Sequence, residues 1–112
     1  MLTLNKIFPQ EKIPEKTESF LFFDIETTGF SRDNTILYLI GCGYFAEEGF
    51  QFIQWFNDDG TSEEEILLAF QNILVKKDWQ LVTFNGNSFD IPYLKRHYDL
   101  NELTCDIEKY PS

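Results

Sequence analysis

The sequence predicts an α/β domain in which a three-stranded antiparallel meander is followed by a helix, a parallel strand and a second helix. Three observations carry this expectation. Apolar runs at residues 20–27, 35–46 and 50–56 are separated by short turn-forming stretches, as strands joined in hairpins are. A segment with apolar residues at helical spacing, 62–77, comes next. It leads into a further apolar run at 80–84, and a strand, helix and strand in succession need a crossover, which sets the last strand parallel to an earlier one.

Taken in order, residues 1–19 carry Pro9, Pro14 and alternating charges, and read as an irregular arm ahead of a domain spanning 20–112. FLFFDIET (20–27) is apolar on both faces apart from two acids, and Thr28-Gly29 ends it. The second strand contains Gly41 and Gly43, which suggest a bulge or a close backbone approach. Glu48-Gly49 makes the turn into FQFIQWF (50–56), and Asn57-Asp58-Asp59-Gly60 is a loop. Ser62 and Glu65 have capping-box spacing, and Ile66, Phe70, Ile73 and Leu74 share one helical face. Glu63, Glu64 and Glu65 lie in the expected first turn, with Lys76 and Lys77 in the last, as the helix dipole prefers. After QLVTF (80–84), Ser88 is placed to cap a helix over 89–98 that accommodates Pro92 in its first turn. Residues 99–112 show no strong period.

The two acids in the first strand raise a chemical question. Side chains two apart on a strand point the same way, so Asp24 and Glu26 project together from the end of a stripe begun by Phe20 and Phe22. Two ionised carboxylates held that close oppose one another, and a hard divalent cation relieves the repulsion. Taken alone, the pair fits a solvated strand end equally well. Asp90 sits just after the parallel strand, at the end where open α/β sheets bind ligands. Pairing of the two strands would bring three carboxylates together. As a single residue, Asp90 could equally cap its own helix, with Asn85 shaping the turn.

Composition narrows the function classes. The chain has 112 residues, a formal charge of −10, and 12 Phe, 5 Tyr and 2 Trp, enough apolar mass for one folded domain. Such an acidic field repels polyanions, which argues against a simple nucleic-acid-binding module but not against an enzyme that recruits cations. Cys42 and Cys105 have no zinc-site spacing and read as reduced thiols. The absence of a signal-peptide pattern and of a membrane-length apolar run leads to the expectation of a soluble, cytoplasmic protein.

FFDIETTGF (22–30) resembles the first motif of the DEDD (DnaQ-like) 3′–5′ exonucleases, and FNGNSFD (84–90) resembles their second. The pair, in this order and on these elements, is most similar to the YprB-like exonucleases of that superfamily, over residues 20–98. The resemblance implies a ribonuclease H-like fold and hydrolysis of nucleic-acid phosphodiesters at a single-stranded DNA or RNA 3′ end. It implies two Mg²⁺ or Mn²⁺ ions, with Asp24 bridging them, Glu26 on the ion that activates water, and Asp90 on the second. Thr27, Thr28 and Phe30 match positions that contact the terminal nucleotide, and Asn85 matches a positioning group near the scissile phosphate.

The chain departs from the family pattern at the third motif, whose acid and general base normally lie well beyond the second. His97 and Glu102 copy the spacing, but on the second-motif helix, where His97 reads instead as a helix-face residue beside Tyr93 and Leu94. Residues 20–112 therefore read as the N-terminal portion of the exonuclease domain, truncated before its last elements. A non-catalytic binding domain of the same fold stands as the alternative. The uncovered part of such a sheet is expected to recruit a second copy or a following domain.

Overall fold

The computed structural model describes residues 1–9, 19–29, 31–83 and 86–112, with the backbone alone at 86 and 87. Five strands form one mixed sheet: β1 (Leu2–Pro9), β2 (Phe20–Thr27), β3 (Leu37–Ala46), β4 (Gly49–Phe56) and β5 (Gln80–Val82), in the spatial order β1-β4-β3-β2-β5. The expected meander β2-β3-β4 is antiparallel, and β5 runs parallel to β2 with Leu21 opposite Leu81. Residues 2–9, expected as part of an irregular arm, instead pair antiparallel with β4, from Leu2 opposite Phe56 to Pro9 opposite Gly49. The alternation of Leu2, Leu4 and Lys6 is a strand pattern that Pro9, placed at the very end of the strand, does not interrupt.

Period-2 alternation sorts β2 cleanly. Leu21, Phe23 and Ile25 are buried, whereas Phe20 and Phe22 are half-buried and Asp24 and Glu26 exposed. The buried side packs against α1 (Glu63–Leu74) and α2 (Ile91–Leu100), with Phe70 of α1 between Phe23, ring centroids 5.3 Å apart, and Trp55, 6.4 Å away. Trp55 and Trp79 are core residues. The opposite side of the sheet carries a groove of about 680 Å³, walled by Phe22, Phe50, Phe52 and Val82 and reaching Asp24.

Gly41 and Gly43 make room on that open side. A Cβ on Gly43 would lie 2.4 Å from the Phe50 ring, the close approach anticipated for this strand. The bulge lies elsewhere, where the β2–β3 register shifts between Glu26, opposite Leu39, and Thr27, opposite Leu37. That irregularity adds local twist beside the acidic end of β2.

The helix termini differ from the expected ones. Ser62 makes no side-chain cap bond, because its hydroxyl donates to Asp59 at 2.6 Å. That bond and the Thr61 amide hold the Asp59 carboxyl down to about 2. α1 stops at Leu74, so Lys76 and Lys77 lie beyond it, and its last carbonyls are met by Trp79 Nε1 (to Ile73, 2.9 Å) and the Tyr110 hydroxyl (to Leu74, 2.9 Å). The second helix is entered through a π-helical turn, Gly86–Asp90, rather than capped by Ser88, and Pro92 does lie in the first turn of α2. Residues 99–112 finish α2 and add a short 3₁₀ turn, Ile107–Lys109. Both cysteines are free, and among the described residues no helix is long and apolar enough to cross a membrane.

Candidate active site

Asp24 and Glu26 project from the open side of β2, where they oppose Gly41 and Leu39 of β3. Gly41 lacks a side chain, which leaves Asp24 at the head of the aromatic groove. Among the described residues no Lys, Arg or His pairs with either acid.

Asp90 reaches the same strand from the other element. It is 1% exposed and occupies the cap position of α2, yet its side chain makes no cap bond. Its carboxylate instead accepts a hydrogen bond from the Thr83 hydroxyl at 2.8 Å and another from the backbone amide of Ile25, the residue between Asp24 and Glu26. Burial pushes the Asp90 carboxyl above its usual range. The Thr83 bond works against that, and the negative charges of Asp24 and Glu26 add to it. The reading of Asp90 as a mere helix cap therefore fails. Thr83 carried little signal in the sequence beyond being the first polar residue after an apolar run.

The loop after β2 is closed by Thr28, whose amide donates to the Ile36 carbonyl at 3.0 Å and whose hydroxyl accepts from the Ile36 amide at 2.9 Å. The Thr27 hydroxyl donates to the Gly29 carbonyl at 2.5 Å. Phe30 and Asn85 lie outside the described residues.

His97 is unsuited to act as a general base. It is 2% exposed, with Nδ1 2.8 Å from Glu63 Oε1 and Nε2 2.7 Å from the Arg32 carbonyl oxygen, and it stacks on Tyr93 at 4.0 Å. Glu102 sits past the end of α2 at φ 57° and is exposed, so the pair shares no site. Arg96 is paired with Asp33 at 2.6 Å and Lys95 with Glu108, beside a cleft of about 600 Å³ that Arg32 also lines. The Asn57–Gly60 loop is structural, with Asn57 buried and bonded to the Leu37 carbonyl and the Ser62 amide.

Residues 21–110, the span that contains both acidic strand ends and both helices, match the RNase_H superfamily. The chain belongs to that superfamily. The mixed five-stranded sheet with its helices agrees with the ribonuclease H-like fold expected above. It is also similar to a DNA polymerase of Desulfurococcus sp. (strain Tok), 34% identical over 64 residues, and to one of Pyrococcus glycovorans, 35% identical over 86 residues. Those alignments cover 51% and 66% of this chain but only 8% and 11% of the polymerases.

Proposed function

We propose that this domain hydrolyses nucleic-acid phosphodiesters as a metal-dependent 3′–5′ exonuclease of the DEDD type, closest in its motifs to the YprB-like group. The observation that carries the reading is Asp90. A buried carboxylate that declines its own helix and turns to the backbone between two further acids is unfavourable without a compensating cation. The donor set consists only of carboxylate oxygens, which fits Mg²⁺ or Mn²⁺. Asp24, Glu26 and Asp90 would hold the ions, and Thr83 and the Ile25 amide orient the third of these ligands. When bound, such ions supply water activation and charge neutralisation for in-line displacement at phosphorus. Thr27, Thr28 and Phe30 would meet the terminal nucleotide, with Asn85 near the scissile phosphate. The substrate would be a single-stranded DNA or RNA 3′ end, drawn to this acidic chain only once cations offset its charge. A cytoplasmic setting accords with the free thiols of Cys42 and Cys105.

A second reading, a non-catalytic nucleic-acid or protein-binding domain, rests on one observation. Among the described residues no three His, Cys, Asp or Glu side chains are grouped closely enough to hold an ion. Calorimetry with Mn²⁺ separates the two: the wild type is expected to bind and Asp24→Asn to lose binding. A parallel assay on 3′- and 5′-labelled single strands should show stepwise loss from the 3′ end. Equal Mn²⁺ titrations of wild type and variant would sink the metal site, and metal binding without cleavage would favour the non-catalytic reading.

A further inference from the structure

The open side of the sheet carries aromatic rings that the helical core does not use. Leu21, Phe23 and Ile25 are buried on the other side with the apolar faces of α1 and α2. Phe22, Phe50 and Phe52 stay half-buried around the groove of about 680 Å³. That volume lies in the range of small-molecule sites, and apolar surface left open in this way marks a place where something binds. The two glycines of β3 divide the groove. Over Gly43 the space is taken by the Phe50 ring, which also lies against Phe22 with centroids 6.1 Å apart. Over Gly41 it is free, since the nearest atoms to a Cβ there would be Gln54 Cγ at 3.6 Å, Gln54 Nε2 at 3.9 Å and Phe52 Cζ at 4.0 Å. Gly41 pairs with Asp24 on one side and with Gln54 on the other. An aromatic ring, a primary amide and a carboxylate therefore border one slot.

Charge decides what kind of occupant fits. Among the described residues Asp24 is the one charged group that lines the groove, so a phosphate finds no cation there. The side-chain amide of Gln54 makes no hydrogen bond among the described residues, although it has two donor hydrogens and an acceptor oxygen. An uncharged planar ring with polar edges meets all of these conditions. It stacks on the Phe52 face, excludes water from the apolar walls and presents its edge to the Gln54 amide. A nucleobase is such a ring, and the groove runs on without a break from the acids that would hold the ions.

We propose that the slot over Gly41 holds a nucleobase of the bound strand, stacked on Phe52 with Gln54 at its edge, and that this base belongs to the penultimate nucleotide. The choice of nucleotide rests on the exonuclease reading, while the choice of a base does not. Asp24 stands at the head of the groove, and Phe22, which walls it, precedes Asp24 on β2. Thr27 and Thr28, assigned above to the terminal nucleotide, follow the acids instead. Groove and terminal nucleotide thus lie to either side of the acids, and the base that enters the groove is the one on the 5′ side of the scissile bond.

Fluorescence anisotropy of a short 5′-labelled single strand tests this on the wild type, in EDTA to prevent cleavage and in high salt to screen the charge of −10. Replacing the penultimate nucleotide by an abasic one is expected to weaken binding roughly five- to hundredfold, the effect of losing one base from an aromatic ring. Removing the base at the 5′ end should change little. In nitrogen-15 spectra of the wild type, the Gly41 amide and the Gln54 side-chain amide should shift with the intact strand and not with the abasic one. Phe52→Leu keeps apolar bulk without a ring, and Gln54→Leu keeps the shape without the amide. Each should weaken the intact strand and leave the abasic strand unchanged. A wild type that binds both strands alike, or neither, would overturn the proposal, as would Gly41 and Gln54 signals that stay in place. Phe52→Leu that abolishes self-association in light scattering but leaves strand affinity unchanged would put a second copy in the groove and overturn it as well. Cleavage in Mn²⁺ is read separately on the 3′-labelled strand. Base-dependent binding without cleavage leaves the slot standing and removes the exonuclease reading, whereas cleavage indifferent to the penultimate base does the reverse.

Discussion

The hydroxyl of Thr83, one residue beyond β5, donates to the carboxylate of Asp90 at 2.8 Å across the π-helical turn. This bond orients an acid that burial and the Asp24 and Glu26 charges together oppose in its ionised form. The folded-state pKa is therefore raised above the unfolded value of about 3.8. A raised carboxyl pKa contributes stability at low pH and loses it as pH rises through the folded value. Asp90→Asn, free of that penalty, is expected to melt higher than the wild type at pH 7 without metal. The advantage should shrink to nothing as pH falls below 3.8. The same variant should lose Mn²⁺ binding. Scanning calorimetry at several pH values checks the first outcome and titration calorimetry the second. A variant less stable than wild type at neutral pH would show that the carboxylate is compensated by something other than a bound ion.

Phe70 is fully buried between Phe23 and Trp55, where α1 meets the sheet. Phe70→Ala is expected to cost roughly 3–5 kcal/mol, the range for deleting a buried aromatic ring. Urea denaturation measures this directly. A midpoint near that of the wild type would mean that α1 is not part of the folding core.

The two glycines of β3 should respond differently to the same change. A Cβ at Gly41 would meet Gln54 Cγ at 3.6 Å, an ordinary contact, whereas at Gly43 it would collide with the Phe50 ring at 2.4 Å. Phe50 also touches Phe22 and Phe45, with centroids 6.1 and 5.0 Å away, so its ring cannot turn aside alone. Gly43→Ala is therefore expected to destabilise by about 1–3 kcal/mol and Gly41→Ala by much less. Equal stabilities for the two variants would refute this account of the open face.

Much of this was legible in the residues themselves. Period-2 alternation in FLFFDIET set Asp24 and Glu26 on one side of the strand, away from the buried Leu21, Phe23 and Ile25, and the crossover logic made β5 parallel to an earlier strand, which the structure shows to be β2. What escaped the reading depended on distant partners. β1 was hidden by Pro9 and by the charges that follow it, although its partner β4 lies some forty residues on. The Ser62–Glu65 spacing promised a capping box, but Asp59, three residues earlier, takes the Ser62 hydroxyl. Glu63 looked like a first-turn acid serving the helix dipole. Its carboxylate is spent instead on Leu37, His97 and Asn101, contacts that no local pattern announces.

β1 lies at the edge of the sheet with all eight residues exposed, including Leu2 at 50%, Leu4 at 52% and Phe8 at 43%. Its outer edge has unpaired backbone donors and acceptors among the described residues, and Lys6 is its one charged side chain. Leu2, Leu4 and Phe8 share a side with Phe56, Gln54 and Phe50, opposite each of which they pair, so edge and open face form one continuous apolar surface. A second copy pairing antiparallel along β1 would extend both sheets and bring these surfaces side by side. The net charge of −10 slows such association without covering the edge, so it should strengthen with added salt. Light scattering over a concentration series is expected to show growth from monomer to dimer, shifted toward dimer in high salt. Leu4→Lys, which sets a second cation on the edge, should return the protein to monomer without changing its melting temperature by more than a few degrees. A wild type that stays monomeric at every concentration and salt would show that β1 is a tolerated edge rather than an interface.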